Sequence, residues 1–253
     1  MIPALRAHWR LYLIEAASIA VFMISACAFG VLLEHPESPV RHAIQDPFHR
    51  RVLMGMAMGL TAVGIIYSRW GKQSGAHINP SVTLAFLRLG RIKSYDALFY
   101  IGAQFAGGVA GVLIAWALLG GRLAQDPPRF VVTAPGMGAG SAFAAEIAIS
   151  AVLMFVVLSV SSSRFSSYTG VCAGALVAIY IALEAPLSGM SMNPARTLGS
   201  ALVAGDATGL WIYFTAPPLG MFLAATVHRR ISSAVGCAKL YHAPDVHCIF
   251  CQE

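Results

Sequence analysis

The sequence predicts an all-α membrane protein of six transmembrane helices plus two re-entrant half-helices, arranged as an inverted internal repeat. Three observations carry this. The chain is 57% hydrophobic and only 11% charged, with a mean hydropathy of +0.70, whereas a soluble domain is nearer a quarter charged. Six apolar stretches approach or exceed the roughly 20 residues that a membrane span needs. Two matched boxes, Asn79-Pro80-Ser81 and Asn193-Pro194-Ala195, break further apolar sequence.

The expected spans are about 11–33, 52–67, 97–119, 142–160, 169–185 and 210–227. The second and fifth are short as counted and must extend into their flanks. Asn is a favoured helix N-cap, and Pro suits the first helical position because its missing N–H would be unbonded there anyway. Each box therefore starts a helix, and the apolar runs that follow, 82–89 and 198–204, are too short to span. Backbone of that kind at membrane depth is tolerated only where protein buries it or where it lines a wet cavity. Gly107 with Gly111, and Gly170 with Gly174, set small residues one helical turn apart for close helix approach. Pro217 and Pro218 interrupt span six, and Cys27 and Cys172 read as small packing residues. The glycine-rich stretch 134–140 is a loop. No Lys-Ser or Lys-Thr follows it, so it is not a phosphate cradle.

Glu15 and Glu146 sit early in spans one and four, and each is followed by two more spans with a box between them. Three spans per half is an odd number, so the second half inserts upside down and the two half-helices enter from opposite faces. Inverted repeats with broken helices meeting near the midplane are a recurring way to build a solute pathway. The expected division is a membrane domain over 1–230, with repeat halves about 8–120 and 138–230, and a tail over 231–253.

Eleven of the seventeen Lys and Arg residues fall on the side of the termini, which predicts cytoplasmic termini by the positive-inside bias. Arg50 and Arg51 at an outer end weaken that bias without reversing it. The net charge of +6 is mostly this asymmetry and does not call for nucleic acid. Ile24-Ser25-Ala26-Cys27 has the look of a lipoprotein cleavage box, but the apolar run continues to Leu33 and carries Glu15, so it reads as a first span.

The tail holds Cys237, His242, His247, Cys248 and Cys251 within fifteen residues. Cys248 and Cys251 have the two-residue spacing of a thiolate pair. With a histidine and Cys237 they make a candidate zinc set. In a reducing cytoplasm a structural disulfide is not expected.

The paired boxes, with Ser74-Gly75-Ala76-His77-Ile78 and Ser188-Gly189-Met190-Ser191-Met192 before them, resemble the major intrinsic protein family, the aquaporins and aquaglyceroporins, as in a bacterial-type member. The likeness covers about residues 8–230. It implies a passive channel for water and small neutral solutes that excludes protons and ions, one pore per subunit, and a homotetramer, while the short loops and the lack of a glycosylation sequon lean towards a bacterial inner membrane. By resemblance Asn79 and Asn193 meet mid-pore, and Arg196 lies in the outer constriction. Glu15 and Glu146 hold the re-entrant loops, and His77 lies near the inner mouth, in either a local or a pore-lining role. Ser81 stands where the family usually has Ala; the two are close in size, a hydroxyl can bond to nearby backbone, and only a modest effect on the pore is expected.

Counting from the boxes, the constriction should involve Met58 or Gly59, Ile181, Met190 and Arg196. The Phe and His of strict water channels are missing, and Thr197 replaces the Asp typical of glycerol channels after the Arg. Neither signature is complete, so a channel mainly for glycerol or similar solutes, with low water flux, is the alternative. A remoter one is a proton-coupled transporter using Glu15 or Glu146, since intramembrane carboxyls are functional candidates by default. An intramembrane enzyme is not expected: the sequence offers no Ser/His pair on adjoining spans and no paired metal ligands inside the membrane.

Overall fold

The computed structural model describes residues 2–232, 236–243 and 248–251. His247, one of the tail candidates, lies outside them. Six helices are long and apolar enough to cross a membrane: Ile2–Glu34, Pro47–Tyr67, Ser94–Leu119, Ala139–Ser161, Thr169–Leu183 and Leu210–Ile231. Two shorter helices, Pro80–Arg88 and Pro194–Ala204, start at the boxes. No strand occurs among the described residues.

Spans one to four and six outrun their apolar runs because caps and flanking residues add turns, and the fifth gains a 3-10 turn at its start, Ser166–Tyr168, which brings it to 18 residues. Asp46 caps the second span by accepting from Phe48 N at 2.8 Å, with Pro47 at the first helical position. The fifth stops at Leu183, and a separate turn, Ala185–Ser188, carries the chain towards the second box. The sixth runs through Pro217 and Pro218 without a break. An even number of spans puts both ends of the membrane domain on one face. Large apolar side chains such as Leu60, Leu118 and Leu183 stay exposed around the outside, as lipid-facing positions require.

The repeat is visible in the packing. Span one packs on span three, span four on span six, and spans two and five meet across the centre. Glycines allow these approaches. A Cβ at Gly111 would lie 2.6 Å from Ala20 O, and one at Gly174 would lie 2.6 Å from Gly59 O. The second half-helix presses Gly199 against the third span, 2.6 Å from Gly108 O by the same measure.

Arg50 is buried rather than a free outer charge. Its Nε and Nη2 donate to Glu34 Oε1 and Oε2 at 3.0 and 3.1 Å, and its Nη1 donates to Ile44 O and Gln45 O at 2.9 and 2.8 Å.

Candidate functional site

Each box hangs from one buried carboxylate. Glu15 accepts from Ser74 Oγ (2.7 Å) and His77 N (3.1 Å) on one oxygen, and from Ile78 N (2.6 Å) and Gln104 Nε2 (2.8 Å) on the other. Glu146 accepts from Ser188 Oγ and Ser191 N on one oxygen and Met192 N on the other, all at 2.7 Å. These bonds hold loops with left-handed backbone at residues that dislike it: φ is +53° at Ala76, +43° at Ile78, +48° at Met190 and +54° at Met192. Such strain costs on the order of 1 kcal/mol or more per residue and persists only where the surroundings impose it. Both carboxylates are fully buried and occupied by loop donors, so neither is placed to relay a proton along the lumen.

The two asparagines interlock. Asn79 Oδ1 accepts from Ser81 N at 2.8 Å, while Asn193 Oδ1 accepts from Ala195 N at 3.0 Å and Arg196 N at 3.3 Å, so each caps its own half-helix. Asn79 Nδ2 donates to Met192 O and Asn193 Nδ2 donates to Ile78 O, both at 2.8 Å. An amide NH2 has two hydrogens. With one given to the opposite loop, each asparagine keeps one donor for the cavity that both line.

That cavity, about 280 Å³, runs between the two halves. One end is bordered by Leu33, Glu34 and Arg51, and the end on the side of the termini by Ile66, His77 and Leu240. Met58, Ile181, Met190 and Arg196 all line it. Gly59 does not. It faces the fifth span, where a Cβ would lie 2.5 Å from Gly174 O, so of the two second-span candidates the wall is Met58. Arg196 Nη1 is buried with no hydrogen-bond partner among the described residues, which leaves a free donor in the wall it shares with Met58, Ile181 and Met190. Thr197 is turned away from the lumen and bonds Ser191 Oγ. In the first half His77 stands where Ser191 does and bonds Thr83 Oγ1, the counterpart of Thr197, at 3.1 Å. Its Nε2 lies 2.6 Å from Ala238 O. A carbonyl only accepts, so Nε2 carries the hydrogen. His77 thus braces its loop and borders the lumen at once.

Ser81 makes no bond to the backbone among the described residues. Its hydroxyl is fully buried with no partner among the described residues and does not line the cavity. The half-helix backbone around it is satisfied by its own ladder and by Asn79, which leaves nothing in reach. Ser81→Ala should therefore leave permeation unchanged and raise stability by about 1 kcal/mol, because a buried hydroxyl without a partner is a net cost. A thermal unfolding series in detergent checks this.

Sequence reading missed two tyrosines. Tyr100 OH donates to Ser74 O at 2.8 Å, and Tyr213 OH donates to Ser188 O at 2.5 Å. Their signal was a Tyr at matching places in spans three and six. Just past the fifth span, burial pushes the Glu184 carboxyl up to about 7. It lies outside the cavity wall.

The family model "Major intrinsic protein" matches residues 4–228. The chain belongs to that family. "Aquaporin NIP1-3" of Oryza sativa subsp. japonica is 38% identical over 175 residues, 68% of this chain and 59% of that protein. "Probable aquaporin NIP4-2" of Arabidopsis thaliana is 38% identical over 173 residues, again 68% and 59%. "Aquaporin A" of Dictyostelium discoideum is 32% identical over 191 residues, 73% of this chain and 67% of that one. The chain thus spans about three fifths of the length of the two plant relatives. Among solved structures, the aquaglyceroporin from Plasmodium falciparum matches with TM-score 0.70 and 18% identity, covering 88% of this chain and 96% of that one. This likeness establishes the fold. With plant and amoebal relatives of this kind, the expectation of a bacterial inner membrane has no support.

Proposed function

We propose that the protein is a passive membrane channel for water and small neutral solutes that excludes protons and ions. The observation that carries this is the lumen in which two half-helix N-termini, two free asparagine N–H donors and the Arg196 guanidinium share a mostly apolar wall, with Glu34, Arg51, His77 and Ser191 as its other polar members. Each half-helix N-terminus carries roughly half a positive charge from aligned peptide dipoles, and two aimed at one point repel cations. A water molecule at the asparagines accepts both N–H groups through its oxygen. Its hydrogens then point away from the centre, and the proton wire is interrupted, as in aquaporin-type pores generally. A passive conduit needs no cofactor and no catalytic group.

Met58, Ile181 and Met190 form an apolar, adaptable side opposite Arg196. This favours a second reading, in which glycerol-sized solutes pass and water flux is low, because few wall groups replace the hydrogen bonds of water. We place both termini in the cytoplasm and take the working unit to be a homotetramer.

Stopped-flow light scattering of proteoliposomes tests these readings. Fast shrinkage in an impermeant osmolyte followed by re-swelling in glycerol supports the permissive channel. Fast shrinkage without re-swelling restricts it to water. Slow shrinkage with fast glycerol entry selects the second reading. Permeation that follows an imposed pH gradient overturns passive transport.

A further inference from the structure

The family match ends at residue 228, yet the tail beyond it folds back against the inner end of the lumen. Ala238 O accepts from His77 Nε2 at 2.6 Å, and Leu240 N donates to Gly75 O at 3.1 Å. Lys239 Nζ donates to Lys72 O at 2.8 Å and is almost fully buried. The Phe250 ring lies parallel to His77 at 5.8 Å. Leu240 is part of the cavity wall beside His77.

Interleaved with these docking residues are four ligand-type side chains. Cys237, His242, Cys248 and Cys251 each offer one donor atom, and the four atoms lie within 4.8 Å of one another. Cys237 Sγ and Cys248 Sγ are 3.3 Å apart, and His242 Nε2 and Cys251 Sγ are 3.1 Å apart. A tetrahedral zinc site with Zn–S near 2.3 Å sets its sulfurs about 3.8 Å apart, so small adjustments close this set around one ion. The cysteines are free thiols. Three thiolates and an imidazole are a soft donor set that suits zinc and does not suit magnesium or calcium.

A segment this short buries too little apolar surface to fold unaided, and in such segments metal binding supplies the folding energy. The order along the chain is ligand, docking residues 238–241, ligand, then ligand, Phe250, ligand. Closing the ligands around an ion presents the docking residues together.

We propose that Cys237, His242, Cys248 and Cys251 bind one zinc ion, and that this ion holds the tail as a plug across the inner mouth of the lumen. Binding releases three thiol protons to solvent and leaves the imidazole neutral. The gating half of this proposal rests on the channel reading above, and the metal half does not. The test uses the full chain purified without chelator, with zinc measured per chain and osmotic permeability measured in proteoliposomes with and without a high-affinity zinc chelator. The expected result is one zinc per chain, lost in Cys248→Ser, and a several-fold rise in permeability on stripping. Leu240→Ala keeps all four ligands and should retain zinc while conducting several-fold faster than the unaltered zinc-loaded chain. Absence of stoichiometric zinc overturns the site. One zinc per chain, with permeability well above empty vesicles and unchanged by stripping or by Leu240→Ala, overturns the plug. Permeability at the level of empty vesicles in every form sinks the channel reading, and with it the gating half, while the zinc count still decides the site.

Discussion

Glu146→Ala is expected to abolish both the folded pore and its permeability. Three donors, Ser188 Oγ, Ser191 N and Met192 N, lose their acceptor in a place water cannot easily reach. At about 1–3 kcal/mol for each buried unsatisfied group, the loss is about 3–9 kcal/mol, which compares with about 5–15 kcal/mol for the whole of a typical fold. The strained backbone at Met190 and Met192 then has nothing to impose it. Glu146→Gln is not a mild alternative. Donors approach both carboxylate oxygens, so whichever way the amide turns, its NH2 faces an N–H or O–H. Recovery of monodisperse protein from detergent, and stopped-flow permeability of whatever is recovered, measure the effect. Normal yield and normal flux in Glu146→Gln would contradict the role given to this carboxylate. Glu15, which accepts four bonds, should behave in the same way.

Arg196→Val is expected to open the constriction to larger solutes and to let cations leak. A unit charge about 5 Å from the lumen axis, at an effective dielectric constant near 20, raises the barrier for a monovalent cation by about 3 kcal/mol. Its removal should raise cation flux about a hundredfold, since each 1.4 kcal/mol is a factor of ten. Valine also fills less space than arginine, so glycerol entry should rise. Fluorescent proton and potassium flux assays on proteoliposomes read the first effect, and glycerol re-swelling reads the second. Unchanged cation exclusion would mean that the two half-helix termini suffice as the barrier and that Arg196 acts on solute size alone.

The spans and half-helices were legible because they follow from one-dimensional signals, apolar run length and the Asn-Pro start. The carboxylates at 15 and 146 stood out for the same reason, as acids in apolar sequence. What escaped depends on rotation and on distant contacts. Met58 and Gly59 are neighbours in sequence but point about 100° apart on a helix. Counting along a loop of uncertain length could not choose between them, whereas the crossing with Gly174 does. Tyr100 and Tyr213 read as ordinary apolar-span aromatics until their hydroxyls are placed on the loop carbonyls. Arg50 counted as an outer charge because its pairing with Glu34, sixteen residues away, leaves no pattern in the sequence. The contact between His77 and Ala238 joins positions 161 residues apart, so the tail gave away its ligand spacing and not its destination.

The crossed asparagine bonds make each half of the chain the acceptor for the other. Asn79 needs the carbonyl of Met192, and Asn193 needs that of Ile78. Neither half is self-sufficient, and the two behave as partners in a dimer whose subunits happen to be tethered. The tether, between Leu119 and Ala139, contributes no hydrogen bond to this clasp. The protein severed there should reassemble from two separately made pieces, and neither piece alone should form a lumen.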